Sequence, residues 1–459
     1  FPVNGSCSGS TADITVNYYQ SPGTASVGAT QNICGLTSSA LGGNNIAVGT
    51  ASWSKVSGPG TVTFSAVNSG SSTATVSAYG TYVLRWTFPV NGSCSGSTAD
   101  ITVNYSAIPA ITSVTAAANP VCAYTTTTLT ANGVGGAGAT VTWYSGPGAT
   151  GTNYGTGTTL NNALPGTYYA RVTGTCTPAV EASLTVSATN PGTGGGLANG
   201  DYVWSGNVSS EWANASNWLK YDGGSAFSLA GGVPTTTTNV FIRSYGSCAS
   251  TTPSIDASST VVCQNLTIET SLSMGNLSTI EVHGNWTNSG TFNENTSTVT
   301  FNGSVAQQIT TSETFYNMVV NTSGVTLNAA VLINGLGTFT NGIVSGGSLT
   351  FGSTATTNGG TQYSFYDGTV TKLGPNAADF KFPTGSGLIG APIAIAAAGT
   401  NADYSATYNY ANPGCNWDPW CSCDLSLLAH ASGVEYWELT SSTIEHPGVA
   451  LYWNDNDAI

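Results

Sequence analysis

The chain has 459 residues, 40% apolar and only 6% charged, with seven Lys and Arg against 21 Asp and Glu and a net charge of −14. Seven cations cannot build the clustered basic surface that phosphate neutralisation needs, so nucleic-acid binding is close to excluded, and the negative charge opposes docking on anionic lipid. Gly, Ser, Thr and Asn stand where helices would draw on Glu, Lys and Arg, so strands and tight turns are expected, in three to four domains at about 150 residues each.

Residues 1–18 read FPVNGSCSGSTADITVNY, and residues 88–105 repeat all eighteen letters after a period of 87 (88 − 1). A fixed period close to the size of an Ig-like sandwich, about 100 residues, is the signature of an array. Residues 1–18 therefore read as the last hairpin of a preceding repeat, 19–105 as a complete repeat, and 106–187 as a further Ig-like domain. In the complete repeat Trp53 falls where a sandwich buries its central tryptophan, and Gly80-Thr81-Tyr82 opens a strand as a tyrosine corner does. Trp143 and Gly166-Thr167-Tyr168 take the same places in the next domain.

The phrases WSKVSGPGTVTF and GTYVLRWT with NGSCSGSTADITV resemble the Ig-like or PKD-like repeats of giant surface proteins of the phylum Bacteroidota. That group includes gliding-motility adhesins exported by the type IX secretion system. The resemblance covers most of residues 1–187. It implies an extracellular, outer-membrane-attached protein of a Gram-negative bacterium, with surface glycans, other surface proteins and neighbouring modules of its own chain as partners.

Residues 188–200 (ATNPGTGGGLANG) read as a Gly-rich linker. Trp204, Trp212 and Trp218 follow in quick succession and are expected to cap a β-solenoid spanning 201–369, with a sugar-stacking platform as the alternative. Val282, Phe301, Val320 and Phe339 stand at equal steps of 19, a plausible rung of a β-helix with these side chains inward. From 370 to 459 the pattern changes to a further β-rich domain. The fold class is thus all-β: tandem Ig-like β-sandwiches, a β-helix or solenoid-like region, and a further β-rich domain.

Ten cysteines, no CxxC pair and three scattered His argue for disulfides in an oxidising setting over a zinc site. By count the pairs are Cys34–Cys94 and Cys122–Cys176, each closing a loop that contributes about 4 kcal/mol in the entropic model. Strands B and F of a sandwich run the same way, however, so these cysteines could lie at opposite ends, and Cys34 could meet Cys176 instead. Cys248–Cys263 would staple the start of the solenoid. Cys7, Cys415, Cys421 and Cys423 are left without an assigned partner.

No catalytic site is expected. Glu269, Glu281, Glu294 and Glu313 do not as a set follow the 19-residue step, so paired carboxylates of the kind glycoside hydrolysis uses are not expected. Glu435, Glu438, Glu445 and His446 read as β-edge residues. Asp455 and Asp457, or Asp418 beside the last cysteines, make calcium a candidate without the EF-hand pattern, and no other cofactor is implied. No run of about 18 apolar residues suggests a membrane-spanning helix. The expected function is a non-enzymatic surface adhesin or stalk. A self-assembling filament or sheath subunit, or a carbohydrate-active enzyme with Ig-like accessory domains, are the rival readings.

Overall fold

The structure is a computed structural model that describes residues 5, 10–193, 196–244, 248, 251–397, 401–411, 434–444 and 446–452. The described residues are all-β apart from two 3-10 turns, at Pro147–Ala149 and Ala215–Asn217. Two compact units form. One holds the chain up to Val121 together with Thr125–Ser187, and the other holds Cys122–Tyr124 and the chain from Ala188 onward.

The first unit contains two sandwiches. In the first, β1 (Gln31–Cys34), β2 (Ser52–Ser57), β5 (Gly80–Phe88) and β6 (Ser97–Ser106) form a sheet in the order β1-β6-β5-β2, faced by the hairpin β3 (Val62–Phe64) and β4 (Ala74–Val76). The reason is plain in β5. Its letters alternate, and Tyr82, Leu84, Trp86 and Phe88 are buried between half-exposed Val83, Arg85 and Thr87. Trp53 packs on Trp86 with ring centroids 4.9 Å apart. The Tyr82 hydroxyl donates to the carbonyl of Ala78 at 2.9 Å and accepts from the amide of Gly60 at 2.8 Å, which makes the expected corner. Gly58 sits under that ring at φ +134°, where an added Cβ would lie 2.3 Å from the Tyr82 ring. A Gly58→Ala chain is expected to lose the corner and melt at lower temperature in its first unit, and an unchanged melting curve would refute this packing.

The second sandwich repeats the plan. β10 (Thr140–Gly146), β11 (Thr150–Thr156), β13 (Gly166–Thr173) and β14 (Val180–Val186) are ordered β11-β10-β13-β14, opposite β12 (Thr159–Ala163), β9 (Thr127–Asn132) and β7 (Ser113–Ala116). Trp143 is buried, and the Tyr168 hydroxyl donates to the carbonyl of Leu164 at 2.9 Å, again four residues back.

Among the described residues of the second unit a 20-stranded sheet winds through parallel rungs, beside a three-stranded parallel sheet of Ser254–Ile255, Ser271–Met274 and Thr291–Asn293. Thr260–Cys263, Thr279–Val282, Thr298–Phe301 and Asn317–Ile333 lie side by side, with Cys263 opposite Val282, Val282 opposite Phe301, and Phe301 opposite Val320. Val320 lies opposite Phe339 in the next strand, Leu336–Phe351. The 19-residue step is therefore one rung, and the column is fully inward. At one corner the side-chain amides of Asn239 and Asn265 join at 2.7 Å, and the Asn265 carbonyl oxygen accepts from the backbone of Asn285. Such ladders satisfy polar groups where the chain turns.

The β-rich stretch from 370 shares a core cluster with the rungs. Val370–Lys372 pairs antiparallel with Tyr404–Asn409, which pairs with Tyr436–Ser441, and Tyr404 and Ala406 belong to the same core cluster as Phe301. Phe380–Phe382, Ile393–Ile395 and Val449–Leu451 form a separate three-stranded antiparallel sheet, so the pairing changes from parallel to antiparallel beyond the last rungs.

Candidate functional site: disulfide junctions and a carboxylate groove

The structure pairs Cys34 with Cys176 and Cys122 with Cys248, and leaves Cys94 and Cys263 as thiols. This corrects the pairs 34/94, 122/176 and 248/263. The reason is strand direction. β1 runs parallel to β6 with Cys34 beside Ser106, at the C-terminal end of β6. Cys94 lies in the β5–β6 connection at the other end, and ten strand residues at about 3.4 Å each keep the two roughly 30 Å apart. The same holds in the next sandwich. The amide of Val121 donates to Ser187 just past β14, whereas Cys176 lies in the β13–β14 connection before it. Cys34 and Cys176 instead meet across consecutive sandwiches, with Cα atoms 5.5 Å apart. Cys122–Cys248 lies within the second unit, beside a small core of Ala123, Val203, Leu219, Phe227 and Phe241.

Cys263 is the first member of the inward column Cys263–Val282–Phe301, which explains why it has no partner: its side chain faces the solenoid core. Burial pushes its thiol well above the usual range. Cys94 is half-buried. A thiol reagent added to the native chain is expected to label Cys94 and spare Cys263 until the solenoid unfolds. Equal native labelling of both would overturn the column.

Glu294 and Glu313, which stand one 19-residue step apart (313 − 294), line one open groove of about 660 Å3 on the solenoid, with Asn288, Phe292, Thr314 and Thr350. Glu313 is buried. Its Oε2 accepts from Trp286 Nε1 at 2.7 Å and Asn288 Nδ2 at 2.8 Å, and its Oε1 accepts from the Thr314 amide at 3.0 Å. Burial raises its carboxyl above the ordinary glutamate range; those hydrogen bonds oppose the rise and the Glu294 charge adds to it. The folded chain thus holds this proton more tightly than the unfolded one. Stability should fall as pH rises from the ordinary glutamate value to the raised one. Glu313→Gln should flatten that slope in urea midpoints measured across pH, and a slope identical to that of the parent chain would remove Glu313 as its source. Trp286 Nε1 is the signal that sequence reading missed, since a buried indole needs an acceptor.

The other candidates separate. Trp204, Trp212 and Trp218 are buried, with edge-on contacts at 4.9 Å and 4.7 Å, so they form a cap core and offer no stacking face to a sugar. Glu435 is buried and accepts from the Tyr408 hydroxyl, while Glu438 and His446 are exposed. Glu269 holds Arg243 at 2.6 Å, and Glu281 lies 3.8 Å from His283. Glu445, Asp418, Asp455, Asp457, Cys7, Cys415, Cys421 and Cys423 lie outside the described residues. Among the described residues no group of three His, Cys, Asp or Glu is placed to hold a metal, and no helix is long and apolar enough to cross a membrane. Lys372 is buried, and its Nζ donates to the carbonyls of Gly352, Ser353 and Leu373 at 2.9, 2.7 and 3.0 Å.

These features define an all-β chain of disulfide-tied Ig-like sandwiches and a β-solenoid. No protein-family model and no curated protein sequence matches it. Among solved structures it is similar to the N-terminal eight Ig domains of Down Syndrome Cell Adhesion Molecule, at 11% identity and a TM-score of 0.28, over 36% of this chain and 28% of that one. It is also similar to the titin I-band fragment I67-I69, at 12% identity and a TM-score of 0.24, over 41% of this chain and 67% of that one. The insect immune protein hemolin follows at 15% identity and a TM-score of 0.22, over 38% of this chain and 49% of that one. The chain spans about a quarter of the first and half of the last, and the sandwich assignment stands on strand pairing and burial alone.

Proposed function

We propose that the chain is part of a non-enzymatic extracellular surface protein, an adhesin or stalk whose sandwiches and solenoid act as spacer and display scaffold. The observation that carries this is the Cys34–Cys176 bond between consecutive sandwiches. A disulfide there adds nothing to either core but prevents the two from being pulled apart, and it needs an oxidising setting. The loops 34–176 and 122–248 also interleave in sequence, so every residue from 34 to 248 lies inside at least one covalent loop. The sequence resemblance of residues 1–187 adds the finer reading: a gliding-motility-adhesin-like substrate of type IX secretion in Bacteroidota, attached at the outer membrane and contacting surface glycans or proteins. Pulling the full chain from its ends tests the mechanical core of this reading. Reduction should lengthen the fully unfolded chain by on the order of 50 nm, given about 3.5 Å per extended residue. Equal length before and after reduction would remove the basis for a stalk.

The groove beneath Glu294 and Glu313 favours a second reading, a solenoid face that acts on polysaccharide. Turnover of a polysaccharide by the chain, lost in Glu313→Gln, would replace the first reading with this one.

A further inference from the structure

We infer that Cys94 is the receiving half of an inter-module disulfide whose other half is the first-strand cysteine of a module built like residues 19–105. The inference stands on junction geometry and is independent of the adhesin reading.

Cys94 and Cys176 occupy the same place, each in the connection that follows the tyrosine-corner strand. Their surroundings match as well. Cys176 Sγ lies 3.8 Å from the carbonyl oxygen of Ser106, and Cys94 Sγ lies 3.4 Å from that of Tyr19. Tyr19 and Ser106 are one 87-residue period apart (106 − 19), and each follows a copy of the same eighteen letters. At the occupied junction Cys34 stands opposite Ser106 in the β1–β6 register, and the next amide, Gly35, donates to the Ser106 carbonyl at 3.0 Å. Three parts therefore make that junction: a first-strand cysteine, the residue that ends the module, and the cysteine of the next module. At Cys94 the second and third are present. The segment at Tyr19 is held in place by Asn91 Nδ2, which donates to the carbonyl of Gln20 at 2.9 Å. A cysteine standing to Tyr19 as Cys34 stands to Ser106 would meet Cys94.

The second bond follows the same order, since Cys122, which lies shortly before β9, also bonds forward in the sequence, to Cys248. The occupant is thus another repeat of this plan, of which residues 1–18 carry the last hairpin letter for letter. Bond formation joins two thiols and releases two protons and two electrons, which a disulfide oxidant takes up in becoming two thiols.

The test is the full chain with residues 19–105 duplicated in tandem and Cys94→Ser in the first copy, oxidised in a glutathione buffer. Non-reducing peptide mapping should link Cys34 of the first copy to Cys94 of the second, and alkylation of that Cys94 should fall at least tenfold from its level in the 459-residue chain. Undiminished alkylation, or a bond from Cys94 to the Cys34 of its own copy, would overturn the inference. A second arm, on the 459-residue chain, does not depend on the tandem chain folding. The peptide QNICGLTS (residues 31–38) should capture Cys94 as a mixed disulfide faster than a scrambled peptide of the same composition, and equal rates would count against it.

Discussion

Phe301→Ala is expected to unfold the middle of the solenoid at denaturant concentrations the parent chain survives. Phe301 is fully buried, lies between Val282 and Val320 in the inward column, and meets Phe315 edge-on at 6.0 Å. Truncating a buried Phe to Ala costs about 3–5 kcal/mol through lost burial and a residual cavity. In a stack where each rung touches only its neighbours, the loss weakens one rung and two interfaces. Hydrogen exchange should therefore rise across residues 280–325, with residues 19–187 unchanged. Asn302→Ala is the control. Asn302 is half-buried and joins Asn321 at 3.0 Å in a corner ladder, so its loss should cost on the order of 1 kcal/mol. If both variants exchanged like the parent, the column would not be a core.

Replacing Cys34 and Cys176 together by Ala should produce the second large effect. The bond closes a loop with a sequence separation of 142 residues. Loss of a native disulfide costs about 2–5 kcal/mol, and in the entropic model a long loop lies at the upper end of that range. The double variant should show a lower unfolding midpoint for the two sandwiches, with exchange in the solenoid rungs as before. A midpoint equal to the parent's would mean that the bond does not form or does not constrain the unfolded chain.

What could be read from the letters has a common physical origin. Period-2 alternation in GTYVLRWTF, the Gly-Thr-Tyr corners and the 19-residue column all come from geometry within one strand or between one rung and the next. Such signals survive without a tertiary structure, and the all-β class and the solenoid register followed from them. The buried Trp143 and the cap of Trp204, Trp212 and Trp218 are the limit of that kind of reading, since size alone argues for burial.

The pairing of cysteines was decided elsewhere. Spacing along the chain says which cysteines are near in sequence, whereas a disulfide needs Cα atoms within about 7 Å. Because β1 and β6 run parallel, the nearer cysteine in sequence, Cys94, ends up at the far end of the sheet, and Cys176 of the next sandwich comes to Cys34. Glu313 was hidden for a related reason. It sits 27 residues from the buried indole it satisfies, a separation that does not match the 19-residue step and becomes a contact only when the rungs stack. Beyond 370 the letters change, and the structure adds that Tyr404 and Ala406 share a core cluster with Phe301. The sequence by itself determined the repeats, the strand faces and the rung length, which are local and periodic. Only the tertiary structure decided which thiols bond, which carboxylate is buried and where the core ends, because each depends on which ends of distant strands are brought side by side.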